Sequence, residues 1–134
     1  MMSNIHELVT QCEISIDAAS KESYEKIRVN GKWETLVENL HFISKIPTIT
    51  FYNLSFVAQQ ENFHEMEDFV KMINRIFEGN NYQIIFYKIA DWGVMPKEEY
   101  SRKKIWDESH PDYNLFQKEV DKLKKYNNLV YNFH

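Results

Sequence analysis

The residues best suited to chemistry in this sequence are polar side chains at the ends of predicted strands. The first predicted strand, near residues 12–18, ends in Ser15-Ile16-Asp17. A hydroxyl and a carboxylate at a strand end can accept hydrogen bonds from ribose hydroxyls or from an ammonium group. Alternatively, Asp17 and Ser20 only cap the turn into the next helix. The pattern by itself is compatible with both interpretations.

Arg28 is the second candidate for binding a ligand. It follows Asp17 by eleven residues, in a predicted helix that begins near Lys21. A guanidinium group pairs with a carboxylate through two parallel hydrogen bonds, which the ammonium group of lysine cannot do. The alternative is a surface arginine that pairs with Glu22 or Glu25 of the same helix.

Alternating strand and helix patterns predict a single α/β domain over residues 1–134. The predicted strands lie near 12–18, 48–59 and 82–90, and the predicted helices near 21–44, 63–78 and from about 111 onward. A break near Asn30-Gly31 divides the first helix, and Asn62 is predicted to cap the second. Ile5, Leu8 and Val9 also show helical spacing. Repeated strand–helix units indicate a parallel sheet with right-handed crossovers.

The predicted strands have one apolar face and one half-polar face, because side chains alternate along a strand. In the first strand the polar set is Glu13, Ser15 and Asp17. In the second, Gln59 shares its face with polar Asn53 and Ser55, and with apolar Phe51 and Val57. A half-polar face lines the interior of a barrel or meets water.

Composition excludes several classes of protein. The net charge of −4 argues against free nucleic acid as a partner, because phosphate binding needs a basic surface. The single cysteine excludes an intramolecular disulfide framework. The spacing of the five histidines gives no support for a zinc site. They are His6, His41, His64, His110 and His134. No apolar run reaches the length of a membrane span, and the first residues lack a secretion signal, so a cytoplasmic location is expected.

Three segments carry a resemblance to a known family. They read EISIDAASKESYEKIRVNG from residue 13, SFVAQQENFHEM from residue 55 and DESHPDYNLF from residue 107. They resemble the radical S-adenosylmethionine (radical SAM) enzymes of the SPASM branch, over most of the chain from about Cys12 to Lys125. The resemblance implies three consecutive βα units with a parallel sheet, which form the C-terminal half of a (β/α)6 partial TIM barrel.

The resemblance also implies roles for individual residues. Ser15 and Asp17 would contact the ribose and the amino-acid end of S-adenosylmethionine, and Arg28 would reach its carboxylate. Gln59 would face the barrel interior near the cofactor. Ile89, in the segment YKIADW, would pack near the adenine, although plain core packing explains it equally well.

One departure from the family is large. The family holds a [4Fe–4S] cluster with three cysteines in the pattern C-x3-C-x2-C, and this chain has only Cys12. The loop that binds the cluster would lie before Met1, and the SPASM domain beyond His134. We therefore expect no [4Fe–4S] cluster in this chain. We expect weak binding of S-adenosylmethionine at best, because the iron that chelates its methionine group is missing.

Two hypotheses follow from this departure. The chain is a fragment of a radical SAM enzyme of unknown substrate, inactive alone. Alternatively, it is a non-enzymatic interaction module. Such a module would cover its half-polar sheet face by forming a homodimer or by pairing with a separate N-terminal half-barrel.

Overall fold

The computed structural model describes residues 11–90, 93 and 95–133. Four strands form one parallel sheet in the order β1-β2-β3-β4. They are β1 (Gln11–Ser15), β2 (Phe51–Ala58), β3 (Tyr82–Lys88) and β4 (Leu129–Asn132). The predicted α/β fold with a parallel sheet is confirmed. The predicted helical spacing at Ile5, Leu8 and Val9 lies outside the described residues.

The helices connect successive strands. They are α1 (Lys21–Ile27), α2 (Trp33–Ile43), α3 (Met66–Ile76), α4 (Lys97–Lys103) and α5 (Tyr113–Leu123), with a short 3₁₀ turn at Phe63–Glu65 before α3. None of the helices in the described part of the chain is long and apolar enough to cross a membrane.

The predicted break near Asn30-Gly31 separates α1 from α2. Asn30 adopts a left-handed backbone with φ of 68°. A Cβ atom on Gly31 would lie 2.9 Å from the ring of Tyr24 and 3.0 Å from the carbonyl oxygen of Arg28. The turn therefore needs glycine because the backbone passes too close to α1 for a side chain.

The three predicted βα units are present, but the predicted number of three strands is wrong, because β4 follows the third unit as a fourth strand. β4 pairs with β3 in parallel, with Ile84 opposite Leu129 and Phe86 opposite Tyr131. Its four residues are too few for a clear alternation in the sequence. In addition, α4 forms within a segment that the sequence predicts as a loop.

Helices α2, α3 and α5 contribute buried side chains to the core on one face of the sheet. Matching positions on β1, β2 and β3 place Ile14, Leu54 and Ile84 in one row of this face. The rings of Phe56 and Phe86 lie next to it, 5.5 Å apart, and both are fully buried. Burying an aliphatic or phenyl side chain of this kind contributes about 1.5–3 kcal/mol, so this face holds the core together.

The opposite face, here called the open face, carries a mixture of polar and apolar side chains. Its rows, read from the strand pairing, are Glu13-Asn53-Gln83, Ser15-Ser55-Ile85-Val130 and Val57-Tyr87-Asn132. The apolar members Val57, Ile85 and Val130 lie outside the buried core. Val130 is 41% exposed. Polar Asn53 and Gln83 satisfy each other through a side-chain hydrogen bond of 2.8 Å.

Asn62 fixes the ends of β1 and β2 and is itself fully buried. Its Nδ2 donates to the carbonyl oxygens of Asp17, at 2.9 Å, and Val57, at 2.8 Å. Its Oδ1 accepts from the backbone N–H of Gln59 at 2.8 Å. Asn62 occupies the N-cap position of the 3₁₀ turn, close to where the sequence predicts a cap, but its side chain makes no cap hydrogen bond there. The amide joins two strand ends instead.

We expect Asn62→Ala to lower the free energy of unfolding by about 2–4 kcal/mol, because three buried backbone groups lose their partners. Urea unfolding followed by circular dichroism measures this change. Asn39→Ala, on the exposed surface of α2, is the control and should leave stability nearly unchanged. Equal stability of the two variants would contradict the structural role of Asn62.

Candidate functional site

Asp17 lies just beyond the carboxyl end of β1 in a strained backbone conformation. Its φ is 68°, and only 7% of the residue is exposed. The left-handed region is costly for a residue with a side chain. Here Oδ1 of Asp17 accepts from the backbone N–H of Val57 at 2.8 Å and from the Ser15 hydroxyl at 3.4 Å. The strain is therefore offset by a hydrogen bond that ties β1 to β2.

Arg28 completes a cluster with Ser15 and Asp17. Its Nη2 donates to Oδ2 of Asp17 at 3.0 Å, to the carbonyl oxygen of Ser15 at 3.1 Å and to the Ser15 hydroxyl at 3.2 Å. The alternative of a surface pair with Glu22 or Glu25 is not what the structure shows. Instead, Glu25 accepts a hydrogen bond from the backbone N–H of Trp33.

The contacts of Arg28 leave one side of its guanidinium group available. All three hydrogen bonds use Nη2, and in the described part of the chain Nη1 and Nε donate none. The side chain is 39% exposed. A guanidinium group held on one side by a carboxylate can still bind an anion through its other N–H groups.

Gln59 and Ile89 lie in a second cluster, which no hydrogen bond joins to Arg28 within the described residues. Both are buried. Oε1 of Gln59 accepts from Nζ of Lys103 at 3.1 Å, and the carbonyl oxygen of Ile89 accepts from the indole of Trp106 at 3.2 Å. The segment that contains α4 therefore covers both residues. Ile89 does not belong to the exposed part of the open face.

Lys103 and Glu61 form an ion pair beside Gln59 that sequence reasoning missed. Both side chains are mostly buried, and Oε1 of Glu61 is buried without a hydrogen-bond partner in the described structure. The ion pair joins α4 to the segment that follows β2. It lies between residues separated by 42 positions, so no local sequence pattern could have indicated it.

Glu65 is a buried carboxylate that the sequence did not single out. Its oxygens accept from the backbone N–H of Ala19 at 2.8 Å and from the hydroxyls of Ser20 at 2.7 Å and Ser23 at 2.6 Å. Ser20 also caps α1, as predicted, by accepting from the backbone N–H of Ser23. Glu65 thus binds the loop after β1 to the start of α3. Its only sequence signal is the pair of serines at the start of α1.

The hydrogen bonds to Glu65 decide its ionisation. Burial raises the pKa of this carboxyl, but the hydrogen bonds from Ser23, Ser20 and Ala19 outweigh burial. The net pKa lies below the ordinary value of 4.5. Glu65 is therefore a carboxylate at neutral pH and acts here as a structural acceptor.

The described residues do not fit a metal cluster. Among residues 11–90, 93 and 95–133, no group of three or more His, Cys, Asp or Glu side chains could hold a metal ion. Cys12 lies on β1, packed against the buried core, and burial raises the pKa of its thiol. One such thiol cannot hold a [4Fe–4S] cluster, which needs several thiolates. In the cluster of Ser15, Asp17 and Arg28, both carboxylate oxygens of Asp17 and the Ser15 hydroxyl already have partners within the chain, so only the guanidinium group of Arg28 keeps donors available.

Neither a protein-family model, nor a curated protein, nor a solved structure matches this chain. The resemblance to radical SAM enzymes therefore rests on the three sequence segments quoted above. Any function must be argued from the residues themselves.

We expect Glu65 to make stability depend on pH. The unfolded carboxyl takes up a proton near pH 4.5, whereas the folded one does so at lower pH. The stabilisation is thus complete well above pH 4.5 and is lost as the pH falls through the folded pKa. Urea unfolding at pH 7 and at about pH 3.5 tests this expectation.

The variant Glu65→Gln should be less stable at pH 7 by about 1.5–3 kcal/mol, because it loses charge-assisted hydrogen bonds. It should also lose less stability than the original chain on acidification. Glu98→Gln, on the exposed surface of α4, is the matched control and should behave like the original chain. An identical pH dependence in all three proteins would exclude Glu65 as the titrating group.

Proposed function

We propose that this chain is the C-terminal half of a radical SAM-type partial barrel. It would bind the ribose and the amino-acid end of S-adenosylmethionine at the carboxyl ends of its strands. The observation that carries this proposal is the orientation of Arg28. Asp17 and Ser15 hold one nitrogen of its guanidinium group at the end of β1, while the remaining N–H groups make no hydrogen bond in the described residues.

The sheet topology supports the proposal. The described strands follow one another in chain order and are all parallel, and α2, α3 and α5 contribute their buried side chains to the core on one face. A segment of a β/α barrel has this arrangement, whereas a doubly wound sheet reverses its strand order and carries helices on both faces. The open face would then line the barrel interior. The fourth strand exceeds the three that the half-barrel hypothesis requires.

In this proposal the residues of the cluster have distinct tasks. Arg28 would bind the carboxylate of S-adenosylmethionine, and the Ser15 hydroxyl would contact its polar groups. Asp17 would orient Arg28, because both of its oxygens are already used within the chain. Gln59 and Ile89, just beyond β2 and β3, would border the site only if the segment that contains α4 moved aside, because that segment covers both residues.

Chemistry in this family requires a [4Fe–4S] cluster, which delivers an electron to S-adenosylmethionine. The described residues cannot hold that cluster. We therefore propose that the chain is inactive alone and gains activity only with a partner that supplies the cluster ligands.

We expect the chain to bind S-adenosylmethionine weakly through its carboxylate. Arg28→Ala should weaken binding by about tenfold or more, since a charge-assisted hydrogen bond contributes about 1.5–3 kcal/mol. Isothermal titration calorimetry with the full chain measures the affinity. Methylthioadenosine, which lacks the amino-acid end, should bind equally to both proteins.

Arg102→Ala removes an exposed arginine of α4 and serves as the matched control. It should leave the affinity for S-adenosylmethionine unchanged. Low-micromolar binding that survives Arg28→Ala would contradict the role of Arg28. The same loss with methylthioadenosine would show that the variant disturbs the fold instead.

A second candidate function is an interaction module that self-associates through the open face. The specific observation in its favour is the exposure of Val130, beside Phe51, Val57 and Ile85 on the same face and outside the core. Burying four such side chains contributes on the order of 6–10 kcal/mol before the costs of association. The strands at both edges of the described sheet, β1 and β4, also offer backbone groups for pairing.

We expect the isolated chain to form a dimer through this face. Size-exclusion chromatography with light scattering should give the mass of two chains, and Val130→Glu or Phe51→Glu should shift it towards one. Val29→Glu, at a position that is 82% exposed beyond α1, is the matched control and should remain a dimer. A strictly monomeric mass at high concentration would exclude the homodimer.

A further inference from the structure

His110 is a buried histidine that takes no part in the candidate site. It lies between α4 and α5, and only 8% of the residue is exposed. Its backbone N–H donates to the carbonyl oxygen of Asp107 at 2.9 Å. A buried polar side chain is costly unless it forms hydrogen bonds. Both ring nitrogens of His110 meet this requirement through contacts with the backbone.

The partners of the two ring nitrogens determine where the proton lies. The backbone N–H of Asp112 lies 3.0 Å from Nδ1, and because an N–H group can only donate, Nδ1 must accept. The carbonyl oxygen of Arg102 lies 2.7 Å from Nε2, and because a carbonyl can only accept, Nε2 must carry the hydrogen. Both nitrogens of a protonated imidazole are donors. The arrangement therefore fits only the neutral ring.

The hydrogen bond from His110 to Arg102 holds the last turn of α4. No residue of α4 belongs to the buried core, so polar contacts must fix this helix. The last carbonyl oxygens of a helix lack partners within it, and a histidine side chain can supply one. The next residue, Lys103, binds Gln59, and its carbonyl oxygen accepts from the backbone N–H of Gln60 at 3.2 Å. His110 thus helps to keep the end of α4 over the end of β2.

A cavity of about 410 Å³ beside the ring gives it room to move. The other lining residues are Gln60, Ser101, Arg102, Pro111 and Asp112. Two of them are charged. The exposed guanidinium group of Arg102 would repel a positive ring, whereas the carboxylate of Asp112 would attract it. That carboxylate now accepts from Nε2 of Gln60 at 3.1 Å.

The other charged side chains of α4 and of the loop after it are paired with one another or lie at the surface. The ion pairs are Lys103 with Glu61 and Lys104 with Asp107. The surface positions are the exposed Lys97, Glu98 and Glu108 and the half-exposed Glu99. A change of charge at the ring of His110 would therefore act mainly through its own hydrogen bonds and through Arg102 and Asp112.

We propose that His110 is a pH-sensitive switch that controls how firmly the end of α4 is held. At higher pH the neutral ring joins Arg102 to Asp112. Once the ring takes up a proton, Nδ1 becomes a donor that faces the N–H donor of Asp112, so that contact is lost. The ring then moves into the cavity towards the carboxylate of Asp112. The end of α4 opens more often, and Gln59 becomes accessible.

This inference stands without the proposed binding of S-adenosylmethionine, because the contacts of His110 lie within the segment that contains α4. Nuclear magnetic resonance of the full chain labelled with ¹⁵N tests it. At about pH 8 the imidazole resonances of His110 should show the tautomer with the hydrogen on Nε2.

Amide hydrogen exchange measures the local opening. Between about pH 8 and about pH 5, the range in which an imidazole changes charge, the protection of the Asp112 and Gln60 amides should fall about tenfold or more, after correction for the intrinsic pH dependence of exchange. The Phe77 amide, which donates to Ile73 at the end of α3, is the internal reference and should not change.

His110→Gln keeps a donor and an acceptor but takes up no proton, so its protection should be the same at both pH values. His110→Ala should lack protection of the Asp112 amide at both. His41→Gln, at an exposed histidine of α2, is the matched control and should show the same fall as the original chain. A hydrogen on Nδ1 at about pH 8, equal protection at both pH values in the original chain, or an undiminished fall in His110→Gln would each overturn the inference.

Discussion

The structure depends on which groups supply hydrogen bonds to the backbone N–H and C=O groups at the ends of β1 and β2. At that edge the last N–H and C=O groups of each strand lose their strand partners, and buried backbone groups without partners are costly. Asp17 and Asn62 supply the missing hydrogen bonds. The carboxylate of Asp17 accepts from the backbone of Val57, and the amide of Asn62 donates to both strand ends. The remaining features of the candidate site follow from this arrangement.

The same hydrogen bonds explain why charged groups lie at this edge. Accepting from Val57 places the carboxylate of Asp17 in a buried position, and a buried charge needs a counter-charge. Arg28 provides it from the end of α1. Glu65 holds the other end of α1 through Ser20 and Ser23. The helix that carries Arg28 is thus held at both ends relative to the sheet.

The sequence was sufficient for features that repeat locally. Period-two alternation located three of the four strands, and Ser20 was correctly predicted as a helix cap. It also placed Ser15 and Asp17 at the end of β1. The short strand β4 was not predicted, because four residues are too few to show a period-two alternation.

Features that depend on distant residues could not be predicted in this way. Glu65 contacts residues 42 to 46 positions earlier, and Asn62 reaches 45 positions back to Asp17. Asparagine before a helix is usually a cap, so the local preference pointed to the wrong partner. The pairing of Arg28 with Asp17 joins a helix to a strand end, whereas the helix pattern offered only nearby glutamates. Tertiary packing decided these contacts.

The separation between Asp17 and its partners has a consequence for the order of folding. Helix α1 can form from local contacts, whereas pairing β1 with β2 closes a loop of about forty residues, which is slow by comparison. The backbone N–H of Val57 can donate to the carboxylate of Asp17 only when that pairing is complete. Arg28 therefore pairs with the positioned carboxylate of Asp17 late in folding, after the surrounding secondary structure has formed. A partly folded chain would contain α1 and its arginine without the carboxylate that orients this arginine, so any ligand that the cluster recognised would select the fully paired sheet.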